Sequence, residues 1–242
     1  MKTVILGDTH GRSNWKLAIH QEEPFDRLIF IGDYFDSFHF NTDEQINNFL
    51  DIIEYKKTSG KEVILLIGNH DYHYFPEIGD TSTSGYQRVG KYQIEPVIDA
   101  NREHLQMAYQ FDEFFFTHAG VSSVWLDETF GVGHWDVKFL ADEINELFKF
   151  KPLSFGFNGF DPYGDSKTQT PIWIRPGSLM SANKANLRKK IIQIVGHTQM
   201  KKLDLVGSDK FTGGRYYFID TMDTTGQYLI IEDRVLKTNS VK

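Results

Sequence analysis

Apolar residues in this chain come in short unbroken runs rather than in alternation. Thr3–Leu6, Arg27–Ile31, Glu62–Ile67, Glu113–Thr117 and Ile191–Val195 are the clearest, and all but the fourth run directly into a glycine. A strand covered on both faces reads this way, because neither face calls for polar side chains. Stretches of helical period lie between the runs. Asn14–Glu22 is one, and Thr42–Lys57 is stronger. Thr42 and Gln45 have capping-box spacing there, and Ile46, Phe49, Leu50 and Ile53 form an apolar stripe. Asp136–Phe150 sets Phe139, Leu140, Ile144, Leu147 and Phe148 on one side. Strands alternating with helices predict βαβ units. Late in the chain, Arg215–Asp220 and Gln227–Glu232 flank the turn-rich segment Met222–Gly226 and predict a hairpin in a second sheet. Asp71–Glu95 and Pro152–Pro176 carry little periodicity and read as long loops or loop–helix insertions, a class that is often functional.

Composition narrows the chemistry. The 242 residues show no repeat and no linker, which predicts one domain over residues 1–242. There is no cysteine. That excludes a disulfide framework, Cys-ligated zinc, an iron–sulfur cluster and a cysteine nucleophile, and it leaves any metal to His, Asp, Glu, Asn or Gln. The apolar run near the N-terminus is too short for a signal peptide, and nowhere do about 18 apolar residues run together as a membrane span needs. A cytoplasmic protein with no membrane association is expected. A net charge of −7 argues against stable nucleic-acid binding, which depends on Lys and Arg neutralising phosphates. The basic run Lys184–Lys190, with Lys201 and Lys202, reads as a helix end whose cations suit the negative pole of its dipole. Gly131-Val132-Gly133 follows no strand and lacks a third glycine, so no dinucleotide fold is read there.

The five predicted strand ends carry polar residues of one kind. They are Gly7-Asp8-Thr9-His10-Gly11, Gly32-Asp33-Tyr34-Phe35-Asp36, Gly68-Asn69-His70-Asp71, His118-Ala119-Gly120 and Gly196-His197-Thr198. If these strands share one sheet, their C-terminal ends meet at one edge, where α/β proteins place ligand sites. Alone, an Asp after a strand is a helix cap and a lone His is ordinary. Together they form a mixed O and N donor set, suited to Mn, Fe, Zn, Co or Mg. The donors are too many for one ion and match two cations about 3.5–4 Å apart, an arrangement used in phosphoryl hydrolysis.

The ordered motifs D-x-H, G-D-x-x-D, G-N-H-D, H-A-G and G-H-T resemble the calcineurin-like metallophosphoesterase superfamily, from residue 8 to residue 198. The Thr-His-Ala-Gly and single-histidine Gly-His-Thr forms are similar to its branch of Ser/Thr phosphoprotein phosphatases and symmetrical dinucleoside tetraphosphatases. The resemblance implies an α/β fold (α+β in some schemes), a two-sheet β-sandwich flanked by helices with a dinuclear site at the strand ends. It implies that Asp8 and His10 hold the first metal, that Asp33 bridges, and that Asn69, His118 and His197 complete the second. Two divalent ions are expected, Mn²⁺ first, with Fe, Zn, Co or Mg as alternatives. By the same resemblance a metal-bridging hydroxide attacks phosphorus directly, His70 donates a proton to the leaving oxygen, and Asp36 orients His70.

Two positions depart from the family pattern. Ser37 stands where the phosphatase branch has an arginine that grips phosphate, and a hydroxyl cannot replace a bidentate guanidinium. Arg12 and Arg175 are the candidate substitutes, and Arg175 is favoured because Ile172–Pro176 resembles a W-x-R segment of bacterial members. Gln199 stands where many members have a second histidine, which the phosphatase branch also lacks. His20, His39, His73, His104 and His134 lie outside the motifs and read as ordinary, with His39 and His73 near enough in sequence to line the substrate side. Tyr72, Tyr74, Phe75 and Tyr86 either pack or stack a nucleobase. The expected function is hydrolysis of a phosphomonoester, with phosphoprotein among the substrates. The alternative is a pyrophosphohydrolase or phosphodiesterase acting on a nucleotide or nucleic-acid end, and a more remote one is a non-catalytic scaffold. The expected partner is a phosphorylated substrate, phosphoprotein or nucleotide; oligomeric state is not legible.

Overall fold

The computed structural model describes all residues except 80–85, 159–164, 184–186, 188–189, 207–214 and 242. Its first half runs β1 (Lys2–Leu6), α1 (Trp15–Glu22), β2 (Arg27–Phe30), α2 (Thr42–Thr58), β3 (Glu62–Leu66), α3 (Asn69–Tyr72), α4 (Lys91–Ala100), β4 (Leu105–Gln106), β5 (Ala108–Phe111) and β6 (Phe114–Thr117). The second half adds α5 (Ser123–Phe130), α6 (Leu140–Phe150), α7 (Pro176–Ala182), β7 (Ile192–Val195), β8 (Asp204–Val206), β9 (Arg215–Phe218), β10 (Gln227–Glu232) and β11 (Val235–Ser240).

The strands form two sheets flanked by helices. One is ordered β11-β10-β1-β2-β3-β4 and the other β5-β6-β7-β9-β8. The predicted strands therefore do not share one sheet: β1, β2 and β3 lie in the first, β6 and β7 in the second. After β3 the chain makes only a two-residue parallel pairing through β4 and then starts the second sheet with the antiparallel pair β5–β6. The late hairpin is also corrected. β9 pairs in parallel with β7 and β10 pairs antiparallel with β1, so the segment between them crosses from one sheet to the other. The hairpin is instead β10–β11, turned by Asp233 and Arg234 at φ 50° and 65°, the left-handed pair that a tight two-residue turn requires.

The two faces of each strand explain the unbroken apolar runs. Ile5, Ile29, Ile64 and Leu66 meet Phe114, Phe116, Ile192 and Ile194 between the sheets. Their neighbours Val4, Leu6, Leu28, Phe30, Val63 and Leu65 pack with Trp15, Ala18, Phe49, Ile52 and Ile53 of the helices outside. Each face is covered, so each side chain leaves water.

Smaller corrections follow from local chemistry. Asn41 and Glu44 make the capping box of α2, in place of Thr42 and Gln45. Gln45 turns inward instead and accepts the Ser37 N–H at 3.0 Å. In α2, Ile52 is buried while Leu50 is exposed. The predicted helix from Asp136 opens as a 3-10 turn, Val137–Phe139, before α6 begins. Tyr72, Tyr74 and Phe75 are buried in the core and cannot stack a ligand, and Tyr86 packs edge-on against His73. The run Lys184–Lys190 falls largely outside the described residues. Among the described residues no helix is long and apolar enough to cross a membrane.

Candidate active site

Although the sheets differ, the strand ends meet. The Gly196 N–H donates to the His118 carbonyl at 2.7 Å, and the His197 N–H donates to the Asp8 carboxylate at 3.1 Å. Thr9 and His10 both donate their N–H groups to the Asp33 carbonyl. These bonds fasten the turns after β1, β2, β6 and β7 to one another. The turns are strained where they carry chemistry. Of the seven described non-glycine residues with positive φ, four are His10, Asp33, Asp36 and His197, at 43°, 55°, 61° and 65°. Such strain persists where surrounding contacts over-determine it, commonly at functional sites.

Asp8, Asp33 and His118 lie buried with ligand atoms within 4.8 Å of one another. The Asn69 amide oxygen sits 2.9 Å from His118 Nε2 and 2.8 Å from His197 Nδ1. His10 Nε2 is 3.8 Å from Asp33 Oδ2. Each of these imidazoles has its other nitrogen on a backbone carbonyl: His10 Nδ1 on Phe35, His118 Nδ1 on Ile31 and His197 Nε2 on Trp173, at 2.6, 2.9 and 3.1 Å. A carbonyl only accepts, so those nitrogens carry the proton and the inward ones carry a lone pair in the neutral ring. His118 Nε2 then faces Asp33 Oδ2 at 3.3 Å, two acceptors that a cation between them would satisfy.

Two glycines make room for the carboxylates. A Cβ on Gly68 would stand 2.0 Å from Asp33 Oδ1, and one on Gly196 would stand 2.1 Å from Asp8 Oδ1. The charge is also unbalanced. Burial, then Asp220 and Asp33, push the Asp8 carboxyl well above the usual carboxylate range. Burial and Asp33 push Asp220 up to about 7. Burial also holds the His197 imidazole well below its usual value, neutral and ready to ligate. Backbone-oriented lone pairs, crowded carboxylates and glycine-cleared space fit divalent cations held by Asp8, His10, Asp33, Asn69, His118 and His197.

His70 stands beside this cluster, its ring 5.3 Å from that of His10. Its Nδ1 donates to Asp36 Oδ2 at 2.9 Å, and its N–H donates to Asp33 Oδ1. Burial opposes the charged imidazole, yet Asp33 and Asp36 hold its pKa up to about 9. Asp36 in turn is 1% exposed. It takes His73 Nε2 at 2.6 Å on the same oxygen, and the Tyr74 hydroxyl and the Gln87 N–H on the other.

Asp8, His10, Asp33, Asp36, His70 and His197 line a cavity of about 280 Å³ together with Arg12, Phe38, His39, Arg175, Gln199, Asp220 and Asp223. Arg175 is set by Nη1 bonds to the His197 carbonyl and the Thr198 hydroxyl, at 3.2 and 3.1 Å. Arg12 pairs with Asp223 at 2.5 Å. A larger cleft of about 840 Å³, lined by Glu77, Arg102, Asn145 and Phe148, lies elsewhere and holds none of these residues. Chemistry rather than size marks the smaller cavity.

Sequence reasoning gave no role to Asp71 or Asp220, and read His73 as ordinary or as lining the substrate side rather than as a partner of Asp36. Asp71 is fully buried and accepts the N–H groups of Asp33, Tyr34 and Gly68 at 2.7–2.8 Å, fixing the turn that carries Asp33. Asp220 follows an apolar run like the other strand-end acids but without a glycine. His73 is buried against Asp36; its i+3 spacing from His70, one helical turn, was the available signal.

A profile of the family described as calcineurin-like phosphoesterase matches residues 1–221. The chain belongs to that family. Among curated members, it is 25% identical over 139 residues to the symmetrical bis(5'-nucleosyl)-tetraphosphatase of Salmonella paratyphi C, covering 52% of this chain and 45% of that one. It is 27% identical over the same length to the corresponding Salmonella typhimurium protein. The match thus spans about half the length of these relatives. Two solved structures share this chain's fold along its whole length and 80% of their own. A cold-active protein-tyrosine phosphatase of a psychrophilic Shewanella gives a TM-score of 0.62 at 16% identity. A Saccharomyces cerevisiae protein serine/threonine phosphatase gives 0.60 at 14%.

Proposed function

We propose that this chain is a metal-dependent phosphoesterase that hydrolyses phosphomonoesters. One observation carries the reading: Asp8, His10, Asp33 and His197 of the carboxylate–imidazole cluster, the Asp36-anchored His70 and Arg175 line one cavity. When bound at the six cluster residues, two divalent cations supply positive charge that draws phosphoryl oxygens and acidifies water; Mn²⁺ is expected first, with Fe, Zn, Co or Mg suited to the same donors.

The chain's own residues supply the rest. Arg175, braced on His197 and Thr198, presents a planar fork to the phosphoryl oxygens. Arg12, paired with Asp223, is the second candidate. Water attacks phosphorus as the bond to the leaving oxygen breaks. With Nδ1 committed to Asp36, His70 gives its Nε2 proton to that oxygen. Asp36 turns the ring and stabilises its charged form.

A second reading, hydrolysis of a dinucleoside polyphosphate, is supported by the tetraphosphatase relatives and by Ser37 in place of the phosphate-gripping arginine. One assay series separates the two. Metal-stripped chain and chain reloaded with Mn²⁺ are given p-nitrophenyl phosphate, its bis-ester and diadenosine tetraphosphate. Turnover of the monoester by reloaded chain only is expected, and activity that survives stripping would sink the metal mechanism. Turnover of diadenosine tetraphosphate alone moves the assignment to the second reading. Arg175→Ala should lose about tenfold or more extra on the monoester than on the bis-ester; equal losses would remove the terminal-phosphate clamp.

A further inference from the structure

Phe38 is 82% exposed, the most of any phenylalanine among the described residues, and unlike Phe150 and Phe139 it lines the cavity that holds His70 and Arg175. An exposed aromatic ring is by itself unremarkable. This one is carried on a backbone that is held still. The Ser37 hydroxyl accepts the N–H groups of His39 and Phe40 at 3.1 and 3.2 Å. The Ser37 N–H donates to the Gln45 side chain at 3.0 Å, and the Gln87 amide donates to the Ser37 carbonyl at 2.7 Å. Gln45 is itself fully buried. The loop is therefore fixed from beneath while its ring is left in water, contributing little to the core. The arginine that the family pattern places at position 37 is a serine whose hydroxyl is spent on this turn.

Cavity size shows what the ring faces. Ligand pockets that enclose a drug-sized molecule run from about 300 to 1,000 Å³, and this one measures about 280 Å³ with much of its lining committed to cation ligands. With two cations and a phosphoryl group on its floor, it would be too small to enclose the attached group as well. The group attached to that phosphoryl must leave across the rim, where Phe38 stands.

We propose that Phe38 is a stacking platform that makes this site select phosphoesters whose leaving group carries a flat aromatic ring. The proposal rests on the phosphoesterase reading above. It also moves aromatic recognition away from Tyr72, Tyr74 and Phe75, which the core has consumed. A pre-set planar ring loses little conformational freedom when a second ring lies on it, and base–aromatic stacking contributes enough to be read in kinetics. Nucleobases and simple aryl groups share this chemistry, so the test includes both.

The test compares 2-phenylethyl phosphate with 2-cyclohexylethyl phosphate, which match in leaving-group oxygen and bulk and differ in flatness. Adenosine 5'-phosphate and ribose 5-phosphate form a second pair. Wild type, Phe38→Ala and Phe38→Trp are assayed with Mn²⁺. Phe38→Ala should lose about tenfold or more in kcat/KM on the aromatic member beyond its loss on the non-aromatic one, and Phe38→Trp should restore the preference. Loss in the phenyl pair alone assigns aryl leaving groups; loss in the adenosine pair assigns nucleotides. Calorimetric binding of the two phosphonates corresponding to the first pair reads the same preference without turnover. Equal losses within both pairs, or no loss, overturn the platform. If wild type hydrolyses none of the four, the phosphomonoesterase reading fails, while the phosphonate binding still decides the platform.

Discussion

Asp36 collects four donors, from His70, His73, Tyr74 and the Gln87 backbone. A buried carboxylate so enclosed has one position and one charge state, and the imidazole it holds inherits that fixity. Burial opposes ionisation of Asp36, but the bonds from His70 and His73 keep it below the ordinary carboxylate range. His70→Asn tests what the imidazole adds. An amide at position 70 preserves the contact with Asp36 but has no acidic proton to give. Metal content should be unchanged while kcat falls by about 10²-fold or more; turnover at the wild-type rate would remove His70 from the acid role. The candidate donors of this site were legible only as a set, because each motif alone reads as ordinary while a cation ligand or proton donor must be one of a few residue types. Gln87 and Phe38 were not. Their roles come from where a distant loop happens to lie, and neither residue type announces a role.

At the scale of elements, the strands were readable and their partners were not. A covered strand shows itself in its own composition, whereas pairing is decided by segments far away in the chain. The C-terminal hairpin illustrates this, since it is tied to the first strand of the chain through Glu22 at the end of α1. Glu22 is 5% exposed and accepts the Tyr228 hydroxyl of β10 at 2.7 Å and the Asn239 amide of β11 at 2.6 Å, and it pairs with Lys2 of β1 at 2.8 Å. Burial works against its charge, yet Lys2, Asn239 and Tyr228 together lower its pKa below the usual value. A folded-state pKa lowered in this way contributes stability above the unfolded value, and that stability is lost as pH falls through the folded one. Glu22→Gln should therefore cost about 1–3 kcal/mol at neutral pH. The gap between variant and wild type, read from urea midpoints, should close as the solution is acidified. A gap independent of pH would show that packing rather than charge is responsible.

Across the whole molecule, the site joins the two sheets. Asp8, Asp33 and Asn69 come from the six-stranded sheet, and His118 and His197 come from the five-stranded one. Cations bound there would tie the layers together and relieve the repulsion that raises Asp8. Ligand present at about 100 times its Kd stabilises a native state by about 2.7 kcal/mol, which in a chain of this size is a Tm shift of about 5–10 °C. Mn²⁺ should raise the Tm by that order and a chelator should reverse it, followed by scanning calorimetry. His197→Ala, which removes a ligand from one sheet only, should shrink the shift. A Tm indifferent to metal would place no cation between the sheets.

By itself the sequence narrowed the candidate reacting groups, because the order Asp8, His10, Asp33, Asn69, His70, His118, His197 and the missing cysteines restrict the chemistry wherever the chain goes. Local periodicity also determined the buried strands β1, β2, β3, β6 and β7 and the helices α1, α2 and α6, but not α3, α4, α5 or α7. Only the tertiary structure decided that two sheets rather than one deliver those groups, that β10 returns to β1, and that Arg175 is braced while Arg12 is paired. It alone decided which aromatic rings the core absorbs and which one it leaves at the mouth. Those outcomes depend on contacts between residues tens to hundreds of positions apart, and no local pattern of residue types encodes the winner of that competition.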